Sequence, residues 1–474
     1  MKKFYITTPL YYVNGKPHLG HSYTTIAADV LARFYRSRGR DVFLLTGTDE
    51  HGSKIEEAAL KNGTTPLLWA DGIVGDFKTL WQRLDISYDD FIRTTEPRHE
   101  KKVREVFSKL LEQGDIYKGK YSGWYCVACE SFCTDSQIMD GNCPDCSKPV
   151  CRLEEESYFF KLTKYQDMLL EHFEKNPGFL QPSWRAAEMK NFVKLGLRDL
   201  SVSRTQVKWG ITVPGDEAHT IYVWFDALIN YLSAAEGRGI WPCDIHFVGK
   251  EIFKFHTVIW PAMLMAFGVP LPEKVFAHGW WTVNGDKMSK SKNNFVEPGA
   301  FIDKYGSDAY RYFVLRQMPF GQDGDFSEQS FADRYNSDLA NNLGNLVSRT
   351  FSMLNKYSLD GIAPRPDEGT VLGKLQHELP EKFSAAMEKI EFHGCLALLW
   401  EIIDESNRVI DSEKPWVLFK TDKEKLEKVM ANIFAAVVTV SEHIGCFMPR
   451  TSEKIKKIIA EKKVTEPLFP RIQQ

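Results

Sequence analysis

Two histidines near the start of the chain have the spacing of a phosphate-binding pair. His18 and His21 stand three residues apart in "HLGH", directly ahead of the helical pattern "SYTTIAADVLARFYRS". Residues three apart share a helix face, and the unpaired N–H groups at a helix start attract phosphate. Gly20 would let a ligand approach the backbone closely. Two polar residues at an ordinary helix start explain this short motif equally well.

Two lysines far downstream offer a second set of phosphate ligands. Lys287 and Lys290 lie in "GDKMSKSKNNF", a short polar segment with the composition of a loop. Their ammonium groups would stabilise the negative charge that develops on phosphates when an α-phosphate is displaced. A lysine-rich segment is more often plain solvated surface, so this motif needs a partner before it indicates function.

Cysteines crowd into one short part of the sequence, where six of the nine lie between positions 126 and 151. Two C-x-x-C pairs separated by thirteen residues have the spacing of a tetrahedral Zn²⁺ site with four thiolate ligands. Four protein ligands leave no position for water, so such a site is structural rather than hydrolytic. Reduced thiols indicate a reducing compartment, and we expect a cytoplasmic protein. The predicted zinc ligands are Cys126, Cys129, Cys143 and Cys146.

Alternating strand and helix patterns must position these residues. "FYITT", a helix and "VFLLTGTDEHG" form one β-α-β unit, while "IHFVGK", a helix and "KVFAHGWW" form another. Sheets of such units are parallel and bind ligands beyond the carboxyl ends of their strands. From residue 326 apolar residues recur with helical spacing in four segments, which predicts a helical bundle. The predicted domains are a split α/β domain at 1–114 and 216–325, an insertion at 115–215, and a helical domain at 326–474.

Length and charge limit the classes of function. The chain has 474 residues and a formal net charge of −3, which gives no overall argument for nucleic-acid binding. No run of about 18 uncharged apolar residues is present, so we expect no membrane span. The first residues lack a long apolar core, so we also expect no signal peptide.

In this order along the chain, "HLGH" and "KMSKS" resemble the two signature motifs of the class I aminoacyl-tRNA synthetases. Other phrases resemble the methionyl-tRNA synthetase family within that class, and they extend over nearly the whole chain. The resemblance implies a Rossmann-like parallel-sheet catalytic domain with an inserted zinc-binding connective peptide of the single-knuckle form. An α-helical bundle that binds the anticodon would follow it. These phrases are "PLYYVNGKPHLGH", "LLTGTDEHG", "YVWFDALINYLSA", "HFVGKEIFKFHTVIWPAML" and "PLFPRI".

The resemblance also implies an activity and its partners. The enzyme would activate L-methionine with ATP and Mg²⁺ to methionyl-adenylate and pyrophosphate, and then transfer the methionyl group to the 3′ end of tRNA(Met). It would remove homocysteine by cyclisation before transfer, because one methyl group discriminates by only about 1–3 kcal/mol. Nothing after "FPRIQQ" corresponds to the dimerising domain of some relatives, so we expect a monomer.

The family's functional residues transfer to matching positions of this sequence. The expected catalytic residues are His18, His21, Lys287 and Lys290. The expected ATP contacts are these four residues with Asn14, Gly20, Gly249 and Glu251. The expected methionine contacts are Leu10, Tyr12, Asp49, Trp224, Tyr231, Ile252, His256 and Trp260, with the Asp49 carboxylate accepting from the substrate ammonium. The expected anticodon contacts are Asn407 and Arg408, for which ordinary polar residues on a helix surface remain an alternative.

Two other functions fit the sequence less well. A non-catalytic, synthetase-like RNA-binding protein would be expected to have lost at least one signature, yet both histidines and both lysines are present. A class I synthetase for another amino acid, such as cysteine, would need an open zinc site near the strand ends. The four cysteines of the two C-x-x-C pairs lie in the insertion instead.

Overall fold

A computed structural model describes residues 3–126, 131–133, 138, 140–144, 147–287 and 294–472. The chain divides into two compact units, and each unit is discontinuous in sequence. The first unit consists of Met1–Lys16, Asp41–Phe77 and Tyr88–His278. The second unit consists of Pro17–Arg40, Lys78–Ser87 and Gly279–Gln474.

Strands are concentrated in the first unit, where long apolar runs form a buried parallel sheet. In the described part of the chain they are β1 (Phe4–Tyr12), β2 (Val42–Asp49), β3 (Asp90–Arg93), β4 (Ile116–Cys126), β5 (Ser131–Cys133), β6 (Cys151–Phe160), β7 (Leu180–Gln181), β8 (Leu200–Ser201), β9 (Ser203–Arg204), β10 (Thr212–Val213), β11 (Asp216–Ile221), β12 (Ile245–Gly249), β13 (Val275–His278), β14 (Trp281–Val283), β15 (Asp286–Lys287) and β16 (Gly324–Phe326).

Helices follow most strands and form nearly all of the chain after residue 328. They are α1 (Leu19–Ser37), α2 (Ser53–Lys61), α3 (Pro66–Arg83), α4 (Pro97–Glu112), α5 (Gln166–Lys175), α6 (Ala186–Lys194), α7 (Val223–Leu228), α8 (Asn230–Ala235), α9 (Trp260–Phe267), α10 (Pro298–Tyr305), α11 (Ser307–Arg316), α12 (Glu328–Arg334), α13 (Asn345–Lys356), α14 (Val371–Glu388), α15 (Phe392–Glu413), α16 (Pro415–Thr421), α17 (Lys423–Ile444) and α18 (Pro449–Glu461). Short 3₁₀ segments span Leu162–Tyr165, Ser183–Arg185 and Lys250–Ile252, and π-helical segments span Phe255–Ile259 and Tyr335–Gly344.

The central sheet has the strand order β3-β2-β1-β12-β13-β7 and is parallel throughout. The chain leaves β1 towards β2 and later returns to β12 on the other side of β1. A switch point therefore lies between β1 and β12, and parallel sheets bind ligands outside the carboxyl ends of the strands at such a point. Tyr12, Asp49 and Gly249 are the last residues of β1, β2 and β12.

Smaller sheets complete the two units. The insertion has an antiparallel sheet of order β5-β4-β6-β8, in which β4 pairs along its length with β6. The strands β10, β11 and β9 form a second small sheet of the first unit, and β15, β14 and β16 form one in the second unit. In the second unit α14 packs on α15, both pack on α17, and α17 packs on α18.

A buried ion pair holds α1 within the second unit. The Arg311 guanidinium lies 2.7 Å from the Asp29 carboxylate, and both side chains are fully buried. Arg311 also donates to the backbone carbonyls of Leu84, Cys446 and Phe447. Removing one partner of a buried pair costs about 3–5 kcal/mol. This pair therefore fixes the helix that begins at "HLGH" against the helices of its own unit.

The parallel sheet with its helices and the helical carboxy-terminal region confirm the α/β class predicted from the sequence. The boundaries of the four predicted domains stay a prediction, because the two units divide the chain along different lines. Residues 17–40 and 279–325 cluster with the helical region rather than with the sheet. Among the helices that the structure describes, none has the length and apolarity needed to span a bilayer.

Candidate active site

A small cavity opens at the carboxyl ends of β1 and β2 in the first unit. It encloses about 280 Å³, including its open mouth. The structure brings to it seven of the eight residues that the sequence predicts to bind methionine. Its lining residues are Pro9, Leu10, Tyr12, Asp49, Trp224, Ala227, Leu228, Asn230, Tyr231, Ile252 and His256.

Trp260 is the predicted pocket residue that does not line the cavity. It is 1% exposed and packs against Tyr231, with ring centroids 5.8 Å apart. Its indole N–H donates to Nε2 of His246. The prediction assumed that His256 and Trp260, four residues apart, project from one α-helical face. The segment Phe255–Ile259 is π-helical, and residues four apart still lie near one face in such a segment, so the contact of Trp260 with methionine stays a prediction.

Three of the four lining residues that sequence reasoning missed, Pro9, Ala227 and Leu228, are small or aliphatic, and the fourth, Asn230, is polar. Ala227 and Leu228 follow Trp224 by three and four residues, and Tyr231 follows it by seven. These are the spacings of a single helix face, so the face that carries Trp224 and Tyr231 would have found both residues. Pro9 and Asn230 are neighbours in sequence of predicted residues and carry no signal of their own.

Hydrogen bonds fix the protonation of the cavity's two polar rings. Nδ1 of His256 lies 3.0 Å from the Ile252 carbonyl, which accepts only, so Nδ1 carries the proton and donates. Nε2 of His256 then accepts from the Tyr231 hydroxyl at 2.8 Å. Burial lowers the pKa of His256 to about 4. This part of the cavity is therefore neutral at physiological pH, which suits an uncharged side chain.

Aromatic rings and one carboxylate form the rest of the cavity wall. Trp224 stacks on Phe255 with ring centroids 3.8 Å apart and an interplanar angle of 9°, and Tyr12 meets Trp224 edge-on at 6.4 Å. Aromatic surfaces interact favourably with a polarizable thioether. Asp49 is only 3% exposed at the end of β2. A carboxylate in such surroundings is a strong ligand for an ammonium group.

The neutral state of His256 predicts an acid-sensitive fold. An unfolded chain binds the proton below a pKa of about 6.5, whereas the folded chain resists it until about 4. Stability is therefore lost as the pH falls through this window, by about 2–3 kcal/mol from His256 between pH 7 and 4.5. Denaturant unfolding at both pH values measures the loss, which should shrink in His256→Phe. An equal loss in the variant would exclude His256 as the group responsible.

A glycine and a carboxylate at the end of β12 are the candidate ribose contacts. A Cβ added to Gly249 would lie 2.5 Å from Oε1 of Glu251, so a larger residue there would displace the Glu251 carboxylate from its present position. Glu251 lies on the exposed side of the short 3₁₀ segment that follows. Asn14, a further candidate ATP contact, is half-buried just beyond β1. These positions suit hydroxyl recognition at the edge of the sheet where ligands bind.

In the second unit the two histidines of "HLGH" cap the start of α1. Nδ1 of His18 accepts from the Gly20 N–H at 3.1 Å, and Nδ1 of His21 accepts from the His18 N–H at 3.3 Å. The rings lie 3.8 Å apart. Backbone N–H groups only donate, so each neutral ring carries its proton on Nε2. Desolvation and the neighbouring His18 lower the pKa of His21 well below its usual value.

The reciprocal cap reconciles the two explanations of this motif. Capping engages Nδ1 of each ring, and Nε2–H is a second polar group on the same ring, of a kind that can donate to a phosphate oxygen. Gly20 lies close to the cap, because a Cβ there would lie 3.1 Å from Cε1 of His18 and would push that ring by a few tenths of an ångström. The lysines of "KMSKS" give less information: Lys287 ends β15, and Lys290 lies outside the described residues.

Two of the four predicted zinc ligands are described. Cys126 and Cys143 are buried, 0% and 2% exposed, in one small cluster. Cys143 begins a tight turn, since its carbonyl accepts from the Ser147 N–H and its own N–H donates to Lys148. Cys129 and Cys146 lie outside the described residues. Among the residues that are described, no three His, Cys, Asp or Glu side chains form a metal-binding group.

The predicted anticodon residues lie together on α15 but differ in their contacts. The Asn407 amide donates to Oδ1 of Asn342 at 2.8 Å and to the Ile403 carbonyl, within the bundle. Arg408 is exposed and pairs with Glu405 through its Nε at 2.7 Å. The guanidinium is therefore accessible to a nucleotide, whereas the Asn407 donor already serves the helix packing.

Comparison with known proteins gives one consistent family. The family model described as tRNA synthetases class I (M) matches residues 4–155 and 147–351. The methionine–tRNA ligase of Caldanaerobacter subterraneus is 51% identical over 481 residues, which cover 98% of this chain and 75% of the relative. The methionine–tRNA ligase of Clostridium tetani is 49% identical and covers 96% of this chain and 73% of the relative.

A solved structure agrees with this result. Mycobacterium tuberculosis methionyl-tRNA synthetase in complex with methionyl-adenylate superposes with a TM-score of 0.92 at 38% identity, covering 99% of this chain and 100% of that one. The match extends over the sheet, the insertion and the helical region alike. The resemblance inferred from the sequence motifs is thus confirmed. The chain belongs to the methionine–tRNA ligases of the class I tRNA synthetase family.

Proposed function

We propose that this chain attaches methionine to tRNA through an adenylate formed at the cavity of the first unit. A carboxylate oxygen of methionine attacks the α-phosphorus of ATP, and the bond to pyrophosphate breaks. A hydroxyl of the terminal adenosine of tRNA(Met) then attacks the methionyl carbonyl, and AMP leaves. The observation that carries the proposal is one buried carboxylate, Asp49, in a largely apolar and aromatic cavity at the carboxyl ends of the parallel strands.

The residues of the cavity would orient methionine. The Asp49 carboxylate would accept from the substrate ammonium, and the ring of Trp224 would pack against the thioether. Tyr231 and His256 hydrogen-bond each other, so their polar atoms are satisfied without help from the ligand. At these two residues the site thus accepts an uncharged side chain without leaving a buried hydroxyl or ring nitrogen unpaired.

Residues at the end of β12, just after β1 and at the start of α1 would bind ATP. Gly249, Glu251 and Asn14 would contact the nucleoside, and Nε2–H of His18 and His21 would donate to phosphate oxygens. Lys287 and Lys290 would stabilise charge on the leaving pyrophosphate. Mg²⁺ accompanies ATP. Catalysis would consist of positioning and electrostatic stabilisation, because phosphoryl displacement requires little covalent chemistry from the protein.

Homocysteine would also enter this cavity, since it lacks only the terminal methyl group of methionine. Once activated, its thiol sulfur would attack its own carbonyl, close a thiolactone and release AMP. This reaction would remove the wrong amino acid before transfer. Formation of homocysteine thiolactone from homocysteine and ATP checks the proposal, and its absence would contradict it.

Replacing Lys290 with alanine is expected to slow methionine activation by about 100-fold or more, with little change in methionine affinity. The reason is that its ammonium would act on charge present in the transition state and absent from bound methionine. Pyrophosphate exchange gives kcat, and equilibrium dialysis gives the methionine Kd. Loss of methionine binding at unchanged kcat would contradict this role.

The insertion would hold one structural Zn²⁺ on the thiolates of Cys126, Cys129, Cys143 and Cys146. The burial of Cys126 and Cys143 in one cluster and the turn after Cys143 support this ligand set. The metal would supply a closed tetrahedral crosslink in a segment with little apolar core. Zinc thiolates also require a reducing compartment, which supports a cytoplasmic location.

Substitution tests the zinc site. Cys143→Ala is expected to lose the metal, whereas Cys151→Ala should keep it, because Cys151 is exposed outside the cluster. Elemental analysis should find one zinc per chain in the unmodified protein and in Cys151→Ala, and almost none in Cys143→Ala. Full zinc content in Cys143→Ala would exclude this ligand.

ATP–pyrophosphate exchange with each amino acid in turn tests the whole proposal. Exchange should depend on methionine and on Mg²⁺. Exchange that depends on a different amino acid would show that this amino acid, and not methionine, is the substrate. Binding of tRNA(Met) without any exchange would favour the alternative, a synthetase-like protein that binds RNA and does not catalyse.

A further inference from the structure

A buried carboxylate joins two histidines directly behind the cavity wall. Asp226 is fully buried in α7. Its Oδ2 lies 2.7 Å from Nδ1 of His51, and its Oδ1 lies 2.7 Å from Nε2 of His99. Both histidines are nearly or fully buried, 5% and 0% exposed. Asp226 does not line the cavity, and the residues that contact methionine or ATP in the proposed mechanism do not include it.

Asp226 and His51 come from parts of the chain that form different walls of the cavity, whereas His99 comes from α4, which contributes no lining residue. Asp226 lies between Trp224 and the pair Ala227 and Leu228, which line the cavity from α7. His51 lies two residues after Asp49, the proposed ammonium ligand, in the loop that follows β2. The two hydrogen bonds of Asp226 thus join α7 to this loop and, through His99, to α4.

Further contacts hold the histidines themselves. Nδ1 of His99 lies 3.0 Å from Oγ of Ser233 in α8, the helix that also carries Tyr231. The His51 ring meets Trp209 edge-on at 5.6 Å, and the Gly52 N–H donates to the Trp209 carbonyl. Neither imidazole can turn away from Asp226 without breaking one of these contacts.

Charge strengthens the bridge that Asp226 forms between His51 and His99. Burial alone would raise the pKa of Asp226, but the charge of His51 and the hydrogen bonds from His51 and His99 outweigh burial and lower it. Burial likewise opposes protonation of His51, and the Asp226 carboxylate reverses this and raises its pKa. Hydrogen bonds to an ionised acceptor are short and about twice as strong as neutral ones. An anion is also the one form of this side chain that accepts from both rings at once.

We propose that Asp226 is a positioning residue for methionine, which fixes the α7 wall of the cavity relative to the strand-end loop that carries Asp49. The distance between the ammonium ligand and the aromatic wall sets which amino acid satisfies both, and this bridge holds that distance. The inference rests on the proposed methionine site. A displacement of about 1 Å in a positioned site reduces activity by up to about 100-fold.

Asp226→Asn is the direct test, because asparagine keeps the size of the side chain but offers one acceptor oxygen instead of two. In pyrophosphate exchange KM for methionine should rise about tenfold, while KM for ATP stays within twofold of the unmodified enzyme. Asp308→Asn is the matched control: it changes another buried carboxylate, which accepts from the Thr451 N–H in the second unit. Any effect of Asp308→Asn should appear in the melting temperature and leave KM for methionine unchanged.

A second pair of variants tests the bridge from its other end. His51→Asn places an amide N–H near the position of Nδ1 and should keep KM for methionine within about threefold, whereas His51→Ala should raise it about tenfold. Unchanged KM for methionine in both Asp226→Asn and His51→Ala would overturn the inference. Equal rises of KM for methionine and ATP would also overturn it. If the unmodified enzyme shows no methionine-dependent exchange, the proposed function fails instead, so the two failures are distinguishable.

Discussion

Replacing Asp49 with asparagine is expected to raise KM for methionine in pyrophosphate exchange by about 100-fold. The substrate ammonium only donates hydrogen bonds, and an amide nitrogen in place of a carboxylate oxygen would present N–H groups to it. Losing one partner of a buried, charged hydrogen bond costs about 2–5 kcal/mol, and about 3 kcal/mol corresponds to 100-fold in affinity. Asp49 is 3% exposed among the cavity residues, so water would not replace the lost partner.

Asp244→Asn is the control for this substitution. Asp244 is also a buried aspartate at a strand end, but it precedes β12, and its carboxylate accepts from the Tyr5 N–H at 2.7 Å. It therefore lies at the amino edge of the sheet, opposite the cavity. Both variants should retain their fold by circular dichroism, and only Asp49→Asn should change KM for methionine. Equal KM values in Asp49→Asn and the unmodified enzyme would remove Asp49 from the ammonium site.

The sheet and the edge that carries the cavity were predictable from the sequence for a physical reason. Parallel strands buried on both faces have continuous apolar runs, and "FLLTGTD" is such a run with a carboxylate at its end. Since the carboxyl ends of parallel strands share one edge, Asp49 and Gly249 were expected at the same edge of the sheet although they are 200 positions apart in the sequence. The structure has both residues at the carboxyl ends of β2 and β12, the two strands that flank β1 in that sheet.

Local helix geometry was harder to predict from the sequence. The spacing of His256 and Trp260 is the same in an α-helix and in a π-helical segment, and only the hydrogen-bond pattern of the backbone distinguishes them. Apolar periodicity does not report that pattern. Trp260 packs against Tyr231 and is not among the residues that line the cavity, and its contact with methionine stays a prediction.

Tertiary contacts between polar residues could not be predicted from the sequence at all. His51, His99 and Asp226 are separated by 48 and 127 positions. They lie in segments that share no sequence pattern. A buried polar residue needs a partner, but nothing in a single sequence names it. The same reasoning explains why "HLGH" left two explanations open, since the capping bonds of Nδ1 are set by the backbone geometry of the turn.

Substitutions at His21 separate capping from phosphate binding, because asparagine and glutamine each reproduce one ring nitrogen. His21→Asn retains a polar atom near Nδ1, which accepts from the His18 N–H, and lacks the donor at Nε2. We expect kcat for pyrophosphate exchange to fall about 100-fold, as for loss of one donor to a transition-state oxyanion. KM for methionine should change little, and the melting temperature should stay near that of the unmodified enzyme.

His21→Gln is the matched variant, since its amide N–H reaches the position of Nε2 while the cap at Nδ1 is lost. A lost cap costs about 1 kcal/mol of stability, so this variant should melt earlier yet retain more activity than His21→Asn. The opposite order of activities would assign His21 to helix capping alone. The pKa of His21 lies well below its usual value, so the ring stays neutral above pH 6.5 and its donor is the same across the range of the assay. Any pH dependence of kcat between 7 and 8 should therefore persist unchanged in both variants.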